Sequence, residues 1–481
     1  MKEEINLNKI KENLYSRQIG TYGEDFMQKI LNLNVLILGL KGLGVEICKN
    51  IILSGPKSVL IYDPSIAKLE DLGNNYYLKY EDINKNRLDY SILNSLSNLN
   101  PFTKVDILNL INPDNFFDVI KKQNLNVIVQ TEIQSKDYII QLNDFCRKNN
   151  IKFIYGAVLG LGGFIFSDFG NNHIIFDKNG IEPRKYFCKN ITNTNKCLVS
   201  VVEEFSNPFR LETDDYIIFK NVKGIIELND NKPRKILIND NYSFFIEDDA
   251  TNYHKFEGNG DIYEYKFPIV KNYLSFEESI NIPFHRVSKN ETFTEQDEIK
   301  PNTNILYLSI ILSLKEYLND KTNDRFKINN EEEIQKILKK SEIKFNQIIE
   351  HDQEIGIFYE GFKGNEIKNF DKNLAKNFIK FSHYKIIPMC SLIGGYISQE
   401  IIKIIGKYDP LNQWLFFDLY DNNYNYAQIS NNKILNYRYL DQISIFGQKI
   451  HEKLQNLNIF ISGAGAVGCE LLKNLALMGV H

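Results

Sequence analysis

Residues 34–44 read NVLILGLKGLG, and residues 458–468 read NIFISGAGAVG. Each stretch begins with an apolar run and ends in a glycine-rich turn, and apolar residues at helical spacing follow it. A strand, such a turn and a helix form the phosphate-binding start of a doubly wound sheet, because the glycines admit a phosphate and the helix N-terminus offers it N–H donors. These stretches therefore predict an α/β fold, doubly wound and Rossmann-like.

The two stretches belong to a longer internal repeat. Residues 18–55 align without a gap with residues 442–479, at an offset of 442 − 18 = 424, and 15 of the 38 positions are identical. The identical pairs include Gly39/Gly463, Gly44/Gly468, Glu46/Glu470 and Lys49/Lys473. An offset of this length excludes a solenoid, whose period is about 20–50 residues. The chain therefore contains one type of domain twice.

The two glycine-rich turns differ in how fully they match the phosphate-binding pattern. The second turn, residues 463–468, is a full G-x-G-x-x-G, whereas the first turn, residues 39–44, carries Lys41 at the middle glycine position. A side chain at that position would crowd an incoming nucleotide. Asp63 lies 63 − 44 = 19 residues past the last glycine of the first turn, where a ribose-binding acid would lie. We interpret Asp63 and Lys41 as structural, the first copy as decayed and the second as active.

The chain between the two copies predicts two inserts. From about residue 177 to residue 266, apolar and polar residues alternate as in short strands. From there to about residue 363, apolar residues recur at helical spacing. Residues 414–418 then resemble a buried strand that returns the chain to the first α/β domain. We expect the following domains: a split α/β domain at residues 1–176 and 364–430, a β-rich insert at 177–266, a helical bundle at 267–363, and the first β-α unit of a second α/β domain at 431–481.

The composition argues against several classes of protein. The net charge of −4 lacks the basic excess of a nucleic-acid binder, and the longest apolar run, Ile305–Leu314, is about half the length of a membrane span. The first 18 residues mix lysine with glutamate and lack the apolar core of a secretion signal. The six cysteines form no C-x-x-C pair, which argues against disulfides and zinc and suits the cytoplasm or nucleus.

An ordered set of motifs resembles the N-terminal half of the single-chain ubiquitin-activating enzymes. The matching segments are Tyr15-Ser16-Arg17-Gln18, residues 42–47, Glu182-Pro183-Arg184, residues 223–229, Gly394-Gly395, Gln399-Glu400, Gln413-Trp414 and residues 463–474. The resemblance covers nearly the whole chain. It implies an inactive adenylation domain of the ThiF/MoeB-like superfamily, split by a first catalytic-cysteine half-domain and a four-helix bundle, and then the start of an active adenylation domain.

The resemblance also implies a reaction. The family uses ATP and Mg²⁺ to adenylate the C-terminus of ubiquitin, captures ubiquitin as a cysteine thioester and passes it to a conjugating enzyme. Gly463, Gly465, Ala466 and Gly468 match the nucleotide loop, and Arg17 matches an arginine that the inactive half lends to the ATP phosphates across a pseudo-twofold axis. No metal ligand is implied. The expected partners are ubiquitin and conjugating enzymes, with no nucleic acid and no membrane, in a monomer that forms an internal pseudo-dimer in the cytoplasm and nucleus.

None of the six cysteines matches the thioester nucleophile, which the resemblance places beyond His481, so we expect the chain alone to be inactive. Cys48 and Cys469 follow the two turns on helices and are predicted to lie in the core. Cys390 stands where the family usually has asparagine. Tyr76 and Tyr77 occupy the region where an active copy carries an Arg-Gln pair, which favours an inactive first half.

Two other functions stay open at this stage. The chain could be a non-catalytic scaffold subunit that binds a ubiquitin-like modifier or a separate active subunit, although the covalent start of a second nucleotide loop argues against that design. The chain could also be an NAD-dependent oxidoreductase, because G-x-G-x-x-G turns bind dinucleotides as well. The damaged first turn makes the oxidoreductase the weaker alternative.

Overall fold

The computed structural model describes residues 13–110, 113–181, 183–203, 209–281, 303–319, 328, 331–354, 370–420 and 438–480. The chain divides into two compact units. The first unit comprises Met1–His173, Asn272–Ile405 and Pro410–His481, and the second comprises Ile174–Lys271 and Gly406–Asp409.

A seven-stranded sheet forms the centre of the first unit. Its strands are β1 (Asn34–Leu38), β2 (Ser58–Tyr62), β3 (Lys104–Ile107), β4 (Val127–Gln130), β5 (Lys152–Leu159), β6 (Gly162–Asp168) and β15 (Trp414–Asp418). The parallel strands follow the order β3-β2-β1-β4-β5, which is that of a doubly wound fold. Strands β6 and β15 continue the sheet in antiparallel orientation. The predicted α/β fold class is confirmed.

The central strand β1 explains the position of the first turn. All five residues of β1 are buried, as expected for a strand that pairs on both sides within a parallel sheet. Val35 lies opposite Val59 on one side and opposite Val127 on the other. The first turn therefore begins at the carboxyl end of a strand that is fixed from both sides.

The first unit also contains helices, and several of them pack against the sheet. They are α1 (residues 13–22), α2 (Glu24–Ile30), α3 (Gly42–Ser54), α4 (Tyr90–Ser97), α5 (Phe116–Lys121), α6 (Lys136–Lys148), α7 (Phe276–Asn281), α8 (Thr303–Asn319), α9 (Glu331–Glu354), α10 (Lys372–Phe381), α11 (Ile387–Lys403), α12 (Leu440–Phe446), α13 (Gln448–Gln455) and α14 (Ala466–Met478). Of the predicted bundle at residues 267–363, α7, α8 and α9 are described, and residues 282–302, 320–327, 329–330 and 355–363 lie outside the described part. Within the described ranges, no helix is both long and apolar enough to cross a lipid bilayer.

Helix α8 buries a lysine among aromatic rings. The Nζ atom of Lys315 lies 4.3 Å from the centre of the Tyr155 ring and 4.2 Å from that of Phe276. No hydrogen-bond acceptor among the described residues reaches this buried nitrogen. Burial lowers the pKa of Lys315 well below its usual value, and the charge of Lys136 lowers that pKa further.

We expect Lys315→Met to raise the free energy of unfolding at about pH 7 by about 1–3 kcal/mol, because it removes an unpaired buried polar group. Since the folded-state pKa is lowered, the unfolded chain binds more protons between that pKa and about 10.4. The wild-type free energy of unfolding should therefore rise by up to about 1.4 kcal/mol per pH unit in this window. Urea denaturation at several pH values checks whether Lys315→Met flattens this slope.

The exposed Lys339 of helix α9 provides the control for this measurement. Lys339→Met removes the same type of charge from a solvated position and should keep the wild-type slope. Equal slopes in the Lys315→Met and Lys339→Met variants would contradict the expected titration of Lys315.

The second unit is a closed six-stranded barrel with its own apolar core. Its strands are β8 (Lys185–Ile191), β9 (Cys197–Val201), β10 (Tyr216–Lys220), β11 (Arg234–Asp240), β12 (Ser243–Ile246) and β13 (Asp261–Glu264). They pair in the order β10-β11-β12-β9-β8-β13, and each pair is antiparallel. Two further strands, β7 (His173–Ile175) and β14 (Ile269–Lys271), pair with each other.

The second copy of the repeat forms its helix but not its strand. The sequence predicts a strand over residues 458–462, but the structure has none there, and Phe460 is 93% exposed. A strand needs a neighbouring backbone to pair its N–H and C=O groups, and no described strand lies beside this segment. Helix α14 needs no such backbone partner, because its hydrogen bonds are internal. The predicted first β-α unit of the second domain is therefore corrected to its helix alone.

Candidate nucleotide-binding site

The two glycine-rich turns have the same backbone shape. The φ angle is +94° at Gly39 and +98° at Gly463, and each turn leads into a helix of 13 residues. A Cβ atom on Gly44 would lie 2.0 Å from the carbonyl oxygen of Gly39, and one on Gly468 would lie 2.1 Å from that of Gly463. No side chain fits at either position, so the repeat in the sequence is also a repeat in the backbone.

The second turn is open to solvent. Gly463 and Gly465 are exposed, and a Cβ atom added at either position would meet no atom of another described residue within 4 Å. Helix α14 begins directly afterwards at Ala466, and the N–H groups of a first helical turn have no partner within their own helix. Accessible backbone and the positive end of a helix dipole fit a phosphate group. The turn thus brings Gly463, Gly465, Ala466 and Gly468 together in a cradle whose shape fits a phosphate group.

The first turn is closed by the chain's own charged side chains. Lys41 extends to Glu132, with its Nζ atom 2.5 Å from the carboxylate. The N–H group of Leu40 donates to a carboxylate oxygen of Asp63 at 2.8 Å. An internal anion therefore occupies a backbone donor that an external phosphate would need.

Asp63 belongs to a buried network of charges. The guanidinium of Arg87 lies 2.7 Å from Asp63 and 3.1 Å from Asp71, and the three side chains are at most 6% exposed. Burial alone would lower the pKa of Arg87, but the two carboxylates raise it above its usual value. The N–H group of Ser65 also donates to Asp63 at 2.9 Å. These bonds are those of a structural residue, as the sequence predicts for Asp63.

Arg17 lies on helix α1, on the first copy, with its side chain exposed. This helix is anchored by Tyr15, which is buried and whose hydroxyl donates to Asn100 at 3.2 Å. Among the described residues, no hydrogen bond or ion pair joins the Arg17 side chain to the second turn. The structure therefore assembles the four loop residues and leaves the phosphate role of Arg17 a prediction.

Five of the six cysteines are buried, and Cys469 is exposed. Burial raises the pKa of the Cys390 thiol to about 12 and that of the Cys197 thiol to about 11, and a thiol with a raised pKa is a poor nucleophile. The prediction that Cys48 lies in the core is confirmed. The same prediction for Cys469 is wrong, because no described sheet covers this face of helix α14.

A cluster of four charges joins the two copies, and the motifs did not reveal it. Lys473 lies 2.5 Å from both carboxylate oxygens of Glu46, and Lys49 pairs with Glu470. We call Glu46, Lys49, Glu470 and Lys473 the charge ring. Its two ion pairs are reciprocal, because Glu46 and Glu470, like Lys49 and Lys473, are equivalent positions of the repeat. The sequence does carry a signal for the ring. Its glutamate and its lysine are both identical in the two copies, which differ at most other positions.

Tyr77 lies close to the charge ring. Burial raises the pKa of its phenol, and the charges of Glu46 and Glu470 raise that pKa further. The neighbouring ring of Tyr76 is perpendicular to that of Tyr77 at 5.6 Å, and Tyr76 is exposed. Tyr76 and Tyr77 thus place two uncharged aromatic side chains where an active copy of the family carries an Arg-Gln pair.

Comparisons with known proteins agree with these features. The chain matches the model of the ThiF family over residues 15–436 and 438–481. It is similar to "Ubiquitin-activating enzyme E1 1" of Arabidopsis thaliana, with 33% identity over 484 residues, and to human "Ubiquitin-like modifier-activating enzyme 1", with 30% identity over 475 residues. The matches cover 99% and 98% of this chain but 42% of each relative, so the chain spans about two fifths of the length of these curated relatives.

A solved structure titled "Crystal structure of E. coli MccB + SeMet MccA" also matches, with 22% identity and a TM-score of 0.29, over 32% of this chain and 46% of that chain. The relatives confirm the resemblance to ubiquitin-activating enzymes that the ordered motifs predict. The family model extends over most of the chain and includes both glycine-rich turns. The chain therefore belongs to the ThiF family.

Proposed function

We propose that this chain supplies the inactive adenylation half and the nucleotide cradle of a ubiquitin-activating enzyme. The contrast between two turns of one shape carries the proposal. In the first turn, the Lys41 side chain stands where a nucleotide would need space. The Asp63 carboxylate accepts from the Leu40 N–H group, which a nucleotide phosphate would need as a donor. In the second turn, Gly463 and Gly465 leave that space free. The family match and the names of the relatives support the class of reaction.

In the complete protein, the phosphates of ATP would lie on residues 463–468, where N–H donors face them. The guanidinium of Arg17 would approach the same phosphates from the first copy, and a permanently charged planar group suits that contact. Mg²⁺ would neutralise phosphate charge, and we assign none of its ligands to this chain. The C-terminal carboxylate of ubiquitin would then attack the α-phosphate, so that pyrophosphate leaves and an acyl adenylate forms.

The later steps belong to parts of the enzyme that this chain does not provide. A thiolate attacks the acyl adenylate, AMP leaves, and the thioester is reactive enough for transfer to a conjugating enzyme. The buried state of five cysteines supports a nucleophile elsewhere. The reciprocal charge ring supports an internal pseudo-dimer of the two adenylation halves. The resemblance further supports ubiquitin as the modifier and the cytoplasm and nucleus as the compartments.

We expect the purified chain to form no thioester when it is incubated with ubiquitin, ATP and Mg²⁺. Non-reducing electrophoresis shows whether ubiquitin becomes attached in a bond that a thiol reagent cleaves. The Cys469→Ala variant is the control, because Cys469 is the exposed cysteine of the chain. A thioester that forms on the wild-type chain and is lost in Cys469→Ala would contradict a nucleophile elsewhere.

A further inference from the structure

Helix α14 carries the second turn, yet apolar burial holds it only weakly. Leu477 is the one buried residue of this helix, whereas the equivalent helix α3 buries ten. Val467, which directly precedes the last glycine of the turn, is 84% exposed. Burial of apolar surface is the usual force that positions a helix, at about 25 cal/mol per Å². Within the described chain, this force contributes little to the position of α14.

Polar contacts attach α14 to the first α/β domain. Lys473 of α14 pairs with Glu46 of α3, and Glu470 of α14 pairs with Lys49 of α3. A hydrogen bond from the hydroxyl of Ser391 to Asn474, at 2.9 Å, adds a contact with helix α11. Each charged residue of the ring also lies near the opposite charge on its own helix, with Lys473 2.8 Å from Glu470 and Lys49 3.2 Å from Glu46.

Most of the ring is sheltered from water, so its charges interact strongly. The side chains of Glu46, Lys49 and Lys473 are at most 9% exposed, whereas that of Glu470 is 45% exposed. Burial alone would lower the pKa of Lys473, but Glu46 raises it above its usual value. Burial alone would raise the pKa of Glu470, but Lys473 and Lys49 lower it below its usual value. Both shifts mean that the ionised forms of Lys473 and Glu470 are favoured, and these are the forms that make the ion pairs of the ring.

We infer that Glu46 and Lys49 are positioning residues, which set the orientation of the second turn through the charge ring. Glu470 and Lys473 follow Gly468 by two and five residues, so the ring acts within about two helical turns of the cradle. A rotation of α14 at the ring therefore turns the N–H donors of the cradle by the same angle. The importance of this orientation for ATP rests on the proposed function, but the orientation itself can be measured without nucleotide.

Cys469 offers a direct probe of that orientation. It lies next to Gly468, it is exposed, and the five other cysteines are buried, so a nitroxide reagent should label it selectively in the full chain. The electron paramagnetic resonance spectrum of the label then reports the motion of the N-terminal end of α14. In Lys49→Met, which leaves Glu470 without its partner from the first copy, we expect the label to rotate at least about threefold faster, because α14 then keeps one of its two ion pairs with α3 and the Glu46 carboxylate loses one of its two cations.

Two further variants separate positioning from other effects. Lys453→Met removes an exposed lysine from helix α13 and should leave the label as in the wild type. The fourfold variant E46K/K49E/E470K/K473E inverts every charge of the ring but keeps each opposite-charge pair. It should restore the rotation to within about twofold of the wild type, because the pairs depend on opposite sign and not on which helix carries which charge.

The outcomes are distinct. Faster rotation in Lys49→Met together with recovery in the fourfold variant supports the positioning role. An unchanged spectrum in Lys49→Met, or a fourfold variant as mobile as Lys49→Met, would overturn it. Binding of a fluorescent ATP analogue, measured on the unlabelled proteins, should weaken about tenfold in Lys49→Met and recover in the fourfold variant. Failure of the wild type to bind the analogue would contradict the proposed function and leave the label result valid.

Discussion

Replacement of Arg87 by methionine is expected to lower the free energy of unfolding by about 3–5 kcal/mol, because it leaves two buried carboxylates without their cation. Arg87, Asp63 and Asp71 are nearly inaccessible to water, so solvent cannot take over the role of the guanidinium. Methionine replaces the apolar stem of arginine but not its guanidinium group, so the loss reflects mainly the missing charge and its hydrogen bonds. Urea denaturation of the full chain, monitored by circular dichroism, measures the change.

The matched control is an ion pair at the surface. Lys104 lies 3.3 Å from Asp106, and their side chains are 74% and 45% exposed. Lys104→Met should therefore change the free energy of unfolding by at most about 1 kcal/mol. A loss in Arg87→Met as small as that in Lys104→Met would show that the network around Asp63 does not hold the first turn in place.

The Gly465→Val variant is expected to weaken ATP binding at least about 30-fold, which corresponds to about 2 kcal/mol. Gly465 has φ −74° and ψ −166°, an extended conformation that valine adopts without strain, so the turn should keep its shape. The added methyl groups would then fill the space that a phosphate needs beside the backbone. A fluorescent ATP analogue, titrated in the presence of Mg²⁺, measures the affinity.

The first turn provides the control for this variant. Lys41→Gly gives the first turn the glycine that the second turn has at the same position. We expect ATP affinity to stay within about twofold of the wild type, because the Leu40 N–H group still donates to Asp63. A larger loss of affinity in Lys41→Gly than in Gly465→Val would assign the nucleotide to the first turn.

Patterns local in sequence predicted much of this fold. The glycine spacing of the two turns fixed their backbone shape, because Gly44 and Gly468 each lie against a carbonyl of their own turn. The apolar run of β1 marked the centre of the sheet for a similar reason, since a strand buried on both faces tolerates few polar residues. The four loop residues of the candidate site followed from the same local pattern.

Features that depend on distant partners could not be predicted. Arg87 pairs with Asp63 and Asp71 through a fold that brings separate loops together, and no spacing rule links these residues. The apolar pattern of residues 458–462 predicts a strand, but strand formation depends on neighbours that the described chain does not supply. Cys469 is exposed for the same reason. The charge ring could be predicted only in part. The repeat shows that its residues are identical in the two copies, but not that they contact each other.

Calorimetric titration of the full chain with ATP and Mg²⁺ tests most directly whether the second turn, and not the first, is the nucleotide site. We expect one ATP per chain in the wild type and in Lys41→Gly, and a loss of the binding heat in Gly465→Val. Binding of ATP that persists in Gly465→Val and is lost in Lys41→Gly would contradict this assignment.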